Sequence, residues 1–311
     1  MIWAIGDIHG MLEPLKKLIL QIKPLHSEAE PIKLIFLGDY IDHGPASKEV
    51  IDFILDLPYE KVFLMGDHEA MFLDYIDNGE RSSVWRRFQG GYKTLKCFNM
   101  DSKDSKLDNK YLDFLRNLKC SHTEEIGEKK FLFTHAGLND SYDIDTQLAF
   151  KTIEDLKNSN LGKNYYLRDS LLFNKTEPSR KVKDFIMIHG HLPTLFIDKF
   201  YMDNSYFYLD RGIPFLKFDN NDEKYSEYLG KYSTEDSRSY NNEYSCWSRL
   251  GYDKLISVNI DTAAVMGKNL TAIGLSEKDL RKRDFKIRQI RTNVGYRRRE
   301  DIRSFKIYIG R

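Results

Sequence analysis

Residues 34–44 read Leu34-Ile35-Phe36-Leu37-Gly38-Asp39-Tyr40-Ile41-Asp42-His43-Gly44: an apolar run that stops at a glycine and two carboxylates three residues apart. A buried strand of an α/β protein delivers acidic side chains to a ligand in this way, at its carboxyl end. The same grammar recurs in Ile2-Trp3-Ala4-Ile5-Gly6-Asp7-Ile8-His9-Gly10 and in Val62-Phe63-Leu64-Met65-Gly66-Asp67-His68-Glu69. Three strand-Gly-Asp turns in the first 70 residues, two of them read with a histidine close by, predict a site for hard divalent cations.

Further along, Phe131 to Gly137 and Phe185 to His191 are again apolar runs that end in histidine and glycine. Six of the eight histidines (9, 43, 68, 135, 189 and 191) sit at these strand ends, and only His26 and His122 lie elsewhere. Carboxylate oxygens suit hard divalent ions and imidazole suits first-row transition metals. Asp7, His9, Asp39, Asp67, His135 and His191 therefore offer mixed ligation for two ions with one carboxylate shared. Two metals about 3.5–4 Å apart clamp the attacking and leaving oxygens in phosphate-ester hydrolysis.

Between the motifs, Leu12, Leu15, Leu18, Ile19 and Ile22 recur at helical spacing, with Glu13 and Lys17 placed to pair. Ser47 reads as the N-cap of a helix whose apolar face is Val50, Ile51, Ile54 and Leu55. Met71, Phe72, Tyr75 and Ile76 form the face of the next helix. Trp85 to Leu95 reads as a helix broken at Gly90-Gly91, and Tyr111 to Leu118 as a short amphipathic helix. Strands are expected at Leu255 to Ile260 and Leu270 to Leu275. The β-α-β-α-β order at the start predicts neighbouring parallel strands covered by helices.

The chain has 311 residues, 41% of them hydrophobic, and a net charge of +1. Lys and Arg outnumber Asp and Glu by 12 to 3 from Arg281 to Arg311, so that stretch carries +9. Two strands are expected there, around Phe285 to Ile290 and Phe305 to Ile309, joined by Arg297-Arg298-Arg299. A solvated basic hairpin is the expected role, and a patch for nucleic acid, an acidic protein or a polyphosphate is the alternative. Tyr, Asn, Asp and Ser dominate between Leu195 and Lys254, which is too long for an ordinary connection and predicts an insertion. Cys97, Cys120 and Cys246 lack metal-type spacing and read as reduced thiols. With no run of membrane-spanning length and no leader-like amino terminus, a soluble cytoplasmic protein is expected.

Gly6-Asp7-Ile8-His9-Gly10, Gly38-Asp39-Tyr40-Ile41-Asp42, Gly66-Asp67-His68-Glu69, His135-Ala136-Gly137 and His189-Gly190-His191 together resemble the signature of the calcineurin-like metallophosphoesterases, and within them the bacterial phosphoprotein (Ser/Thr) phosphatase branch. Trp85, Gly90-Gly91, Thr94-Leu95, Leu171-Leu172-Phe173 and Asp261-Thr262-Ala263 add to the likeness. It implies an α/β fold of two mixed β-sheets in a sandwich flanked by helices. The domain would cover 1–275 with the insertion at about 196–254, and 276–311 would be a basic C-terminal extension.

By position, the resemblance implies that Asp7 and His9 hold one metal, Asp39 bridges, and Asp67, His135 and His191 hold the second. His68 would be the general acid, with Asp42 orienting its imidazole and keeping it charged. Two divalent ions are implied, with Mn2+ the expected metal and Fe, Zn or Mg the alternatives. The implied activity is hydrolysis of a phosphorylated protein or small phosphoester by direct attack of water. A diadenosine tetraphosphate hydrolase is the alternative enzyme, and a catalytically weakened metal-binding regulatory protein the alternative of another class.

Three positions depart from the family pattern: Asp67 replaces an asparagine, His43 an arginine, and Lys175 stands near another expected arginine. Those arginines grip the substrate phosphate through a planar fork that histidine and lysine do not reproduce. His43 and Lys175 are thus candidate substrate-contacting residues, and His189, two residues before His191 and on the same strand face, is a further candidate for which a supporting structural role is the favoured expectation. A third ionised aspartate takes the bimetal core from +1 to zero. One charge about 5 Å from a phosphate dianion is worth roughly 6–7 kcal/mol before screening. The expectation is tighter metal binding and a weaker hold on monoester dianions.

Overall fold

The computed structural model describes residues 1–79, 83–100, 102, 105–138, 143–158, 185–191, 215–218, 243–245, 255–281 and 286–292. The amino-terminal part runs β1 (Ile2–Ile5), α1 (Leu12–Ile22), β2 (Lys33–Phe36), α2 (Ser47–Asp56), β3 (Glu60–Phe63) and α3 (Asp67–Asn78). Then come α4 (Ser83–Phe88), α5 (Gly91–Cys97), α6 (Asn109–Arg116), β4 (Ser121–Ile126), β5 (Lys129–Thr134), α7 (Ile144–Ala149) and α8 (Ile153–Lys157). The remaining strands are β6 (Phe185–His189), β7 (Phe215–Phe218), β8 (Glu243–Ser245), β9 (Leu255–Asn259), β10 (Asn269–Leu275) and β11 (Lys286–Arg291).

Two mixed sheets result, one ordered β3-β2-β1-β10-β11-β8 and the other β4-β5-β6-β9-β7. In the first, β1, β2 and β3 are parallel, and their register aligns Ile5, Phe36 and Phe63. In the second, β5, β6 and β9 are parallel and align Phe133, Ile188 and Val258. Ala4, Ile35, Val62, Phe131, Phe133, Ile186, Ile188 and Val258 form one core, to which both sheets contribute. The alternate residues Trp3, Ile5, Leu34 and Phe36 join a second core with Leu15, Leu18, Ile22, Val50, Ile51 and Ile54 of the helices. Strands buried on both faces must be apolar throughout, hence the unbroken runs that announced them. Each such side chain contributes about 1.5–3 kcal/mol on burial.

Some local expectations change. Ser47 is the first helical residue of α2 and Ala46 is its N-cap; the Ser47 hydroxyl instead accepts the Asp42 N–H at 3.1 Å. Glu13 pairs with Lys16 at 2.9 Å, one turn position short of Lys17. The amphipathic helix α6 begins at Asn109, where the Asp108 carboxylate accepts the Lys110 N–H at 2.8 Å. β4 was not anticipated: Ser-His-Thr-Glu-Glu-Ile is a polar strand at the sheet edge, where one side needs no apolar partner. The expected helix break is present, with Gly90 at φ 86° between α4 and α5.

Most of the expected insertion, the Arg297–Arg299 cluster and the second tail strand lie outside the described residues, as do Lys175 and Cys246. Within them, β7 and β8 fall in the insertion range and are paired into the sheets, and β11 is hydrogen-bonded between β10 and β8. Arg288 of β11 lies 5.8 Å from the Trp3 ring centre. Cys97 and Cys120 are free thiols. Among the described residues no helix is long and apolar enough to cross a membrane.

Candidate metal centre

Parallel strands from both sheets release their chains at one end of the sandwich. Asp7, Asp39 and Asp67 follow β1, β2 and β3, while His135 and His191 follow β5 and β6. The Gly190 N–H donates to the His135 carbonyl at 2.8 Å and the Ile260 N–H to the His189 carbonyl at 2.9 Å, holding the second set of turns in line. Seven described non-glycine residues have positive φ, and five of them are His9 (47°), Asp39 (54°), Asp42 (70°), His43 (56°) and His191 (68°). Left-handed backbone costs a side-chain-bearing residue of order 1–3 kcal/mol and persists only where the surroundings enforce it.

The imidazole orientations follow from their hydrogen bonds. His9 Nδ1 lies 3.0 Å from the Ile41 carbonyl, and His135 Nδ1 lies 2.8 Å from the Leu37 carbonyl. A carbonyl only accepts, so each Nδ1 carries the proton and each Nε2 carries the lone pair that could take an ion. His9 Nε2 lies 3.3 Å from Asp39 Oδ2, and His135 Nε2 lies 3.4 Å from Asp39 Oδ1. Each oxygen of one carboxylate thus faces a different histidine, the arrangement a bridging ligand requires. Asp67 Oδ1 lies 3.5 Å from His135 Nε2 and 3.3 Å from His191 Nδ1. Asp7 accepts the His191 N–H at 3.0 Å.

Among the described residues, three groups of potential ligands have donor atoms all within 4.8 Å of one another, and two of them combine carboxylate with imidazole: Asp7, His9 and Asp39, and Asp39, Asp67, His135 and His191. These two share Asp39. Asp67 Oδ1 and His135 Nε2 are buried without a hydrogen-bond partner, a costly state for polar atoms unless an ion completes them. The donor set, mixed carboxylate and imidazole, fits first-row divalent metals. The electrostatics agree. Burial, then the Asp261 carboxylate, pushes Asp7 well above the usual carboxylate range. Burial would also raise Asp67, but the imidazoles of His68 and His191 hold it well below that range. His135 is pushed up to about 9, burial being outweighed by Asp67 and Asp7.

Beside these potential ligands, His68 Nδ1 lies 2.6 Å from Asp42 Oδ2, while its Nε2 points toward Asp39 Oδ2 at 4.0 Å. Burial alone would lower the His68 pKa; Asp39, Asp67 and Asp42 reverse this and push it up to about 10. Asp42 is fully buried and accepts Trp85 Nε1–H at 2.5 Å and the Thr94 hydroxyl. Its N–H reaches Thr94 Oγ1 at 3.0 Å. The helix break serves this contact: a Cβ on Gly91 would lie 2.5 Å from the Trp85 ring, and one on Gly90 2.5 Å from the His43 nitrogen.

Of the candidate substrate-contacting residues, His43 is buried with its ring 5.0 Å from those of both His9 and His68. His189 is buried in β6 and joins none of the ligand groups found among the described residues. Four contributors had no role assigned from sequence. Glu69 is fully buried and accepts the N–H groups of Gly66, Asp39, Tyr40 and Ile41 at 2.8–3.2 Å. Its place in the first turn of α3, after a glycine, was the available signal. Trp85 and Thr94 were noted only as parts of a motif. Asp261 raises Asp7 and accepts the Ala263 N–H at 3.0 Å.

Residues 1–221 match the family model for calcineurin-like phosphoesterases. A serine/threonine-protein phosphatase 2 of Salmonella typhimurium is 28% identical over 211 residues, spanning 66% of this chain and 88% of its own. A symmetrical bis(5'-nucleosyl)-tetraphosphatase of Marinomonas sp. is 29% identical over 154 residues, 49% of this chain and 50% of its own, so the chain spans about half the length of that relative. A solved metallophosphoesterase from Sphaerobacter thermophilus is 13% identical with a TM-score of 0.48, covering 93% of this chain and 87% of that one. With that model matching residues 1–221 of 311, this chain belongs to the calcineurin-like phosphoesterase family.

Proposed function

We propose that the protein is a two-metal phosphoesterase that hydrolyses phosphate esters by direct attack of water, with no covalent enzyme intermediate. The observation that carries this reading is the pair of ligand groups sharing Asp39 with the His68–Asp42 pair beside them. Asp7, His9 and Asp39 would hold one ion, and Asp39, Asp67, His135 and His191 the other, with Mn2+ the expected metal. When bound, the ions supply charge neutralisation and an activated water at neutral pH. His68 holds a proton at Nε2, on the side facing Asp39, where it can pass to the leaving oxygen. Asp42 fixes the tautomer and stabilises the charged imidazole, and Trp85 and Thr94 fix Asp42.

The favoured substrate is a phosphoserine or phosphothreonine protein, or a small phosphomonoester. The Salmonella phosphatase supports it, since 88% of that relative's length aligns with this chain. A second reading, hydrolysis of a dinucleoside polyphosphate, is supported by the Marinomonas relative. Asp67 also favours it: the Asp67 carboxyl is held in its charged form, which lowers the attraction for a monoester dianion. A substrate panel of phosphopeptide and diadenosine tetraphosphate, with Mn2+, Mg2+ or chelator, tests both. Asp39→Asn is the inactive control. Lack of turnover on every phosphoester by metal-loaded protein, with His68→Ala indistinguishable, sinks the enzyme reading in favour of a regulatory metal-binding role.

A further inference from the structure

One group of potential ligands is not accounted for by the two ion positions. His9, His43 and His68 each present a ring nitrogen, and the three nitrogens lie within 4.8 Å of one another. Their ring centres form a nearly equilateral triangle: 5.0 Å from His9 to His43, 4.8 Å from His9 to His68 and 5.0 Å from His43 to His68. All three rings are buried. Two of them already have the outer contacts that orient an imidazole ligand. His68 Nδ1 is held by the Asp42 carboxylate at 2.6 Å and His9 Nδ1 by the Ile41 carbonyl at 3.0 Å, so both present Nε2. The His43 backbone is held by Lys93 Nζ, which donates to its carbonyl at 2.5 Å, and by Gly90 packed against it.

We propose that His9, His43 and His68 form a second, all-imidazole ion site that shares His9 with the carboxylate set and selects nitrogen-preferring ions such as Zn2+. The inference rests on the two-metal reading above. His9 has one ligand nitrogen to give, so the two positions exclude each other. A hard ion such as Mn2+ sits with Asp7 and Asp39; a borderline ion is drawn to His43 and His68, because imidazole favours the later first-row metals. A tetrahedral ion with bonds of about 2.0–2.1 Å holds its nitrogens roughly 3.3–3.4 Å apart, inside the 4.8 Å within which the three already lie. Filling this site withdraws His68 Nε2 from proton transfer, so zinc inhibits by capturing the proton donor. His43 creates the site: an arginine at that position has no ligand nitrogen to offer, being protonated throughout.

The test reads metal rather than turnover. The full-length chain is stripped with chelator and loaded with Mn2+, and released Mn2+ is followed by its solution electron paramagnetic resonance signal as Zn2+ is added. The wild type is expected to release one Mn2+ per chain at low Zn2+. His43→Gln and His43→Arg should each require about 10–100-fold more Zn2+ for that first release, and His68→Gln should behave alike. Folding of each variant is checked by thermal melting, and any one that folds decides. Release at the wild-type Zn2+ concentration in the folded variants, or zinc binding that expels no Mn2+, overturns the proposal. Loading of fewer than two Mn2+ per wild-type chain instead overturns the two-metal reading, so the two failures are told apart.

Discussion

His68 Nδ1 and Asp42 Oδ2 are 2.6 Å apart, and Asp42 has no solvent exposure at all. The carboxylate fixes which imidazole nitrogen bears the exposed proton, and its charge keeps that proton in place. Asp42→Asn preserves size but presents a neutral amide to three donors. We expect kcat to fall by about 10²–10⁴ with a far smaller change in KM. Steady-state kinetics under saturating Mn2+ measure both, and an equal rise in KM would argue for a binding role instead.

Gly190 packs directly on the Asp7 carboxylate, and a Cβ there would collide with Oδ1. Gly190→Ala must therefore displace Asp7 from the ligand group or push β6 outward. The expected result is a loss of about 10–100-fold in affinity for one Mn2+, read by titration calorimetry on chelator-treated protein. Unchanged affinity at both sites would mean that Asp7 does not act as a ligand.

Glu69 gathers four backbone N–H groups from the start of α3 and the turn after β2. Its side chain is the fastener between the strand that carries Asp39 and the helix that carries Asp67 and His68. An amide turns part of that acceptor surface into donors and leaves buried N–H groups unsatisfied, at about 1–3 kcal/mol each. Glu69→Gln should lose more than about 2 kcal/mol in denaturant unfolding. Conservative replacement at a merely space-filling position would leave the midpoint where it was.

Away from the site, Asp52 of α2 takes Lys110 Nζ at 2.6 Å, Lys48 Nζ at 3.1 Å and the Tyr111 hydroxyl at 2.9 Å, tying α2 to α6. Burial works to raise its pKa, and the hydrogen bonds from Lys110, Lys48 and Tyr111 outweigh this and lower it. A carboxyl depressed in the folded state stabilises above its unfolded pKa and loses that contribution as pH falls through the folded value. Asp52→Asn should thus cost about 1 kcal/mol near neutrality. The gap between variant and wild type should stay level down to about pH 5 and close below about pH 4. A gap that widens in acid would contradict this.

What was legible in the sequence was local. Gly6-Asp7, Gly38-Asp39, Gly66-Asp67, His135 and His191 each close a mainly apolar run, and a buried strand imposes that pattern on its own residues. The chemistry of the donor set was readable for the same reason, because side-chain type is written residue by residue. The polar edge strand β4 carries no such run and left no comparable signal.

Placement across the chain was decided by the tertiary structure. The contact from His191 to Asp7 spans 184 residues, that from Trp85 to Asp42 spans 43, and that from Thr94 to Asp42 spans 52. Ser47 looked like a helix cap by its neighbours, yet its hydroxyl lies where Asp42 can use it. His43 looked like a missing phosphate grip, and only the packing of three rings revealed its partners. The sequence by itself determined which turns carry carboxylates and imidazoles at strand ends, since identity and strand periodicity are local properties. Which oxygen faces which histidine, and which imidazoles crowd together, depended on two sheets meeting at one end, where contacts form through space between residues that no local pattern connects.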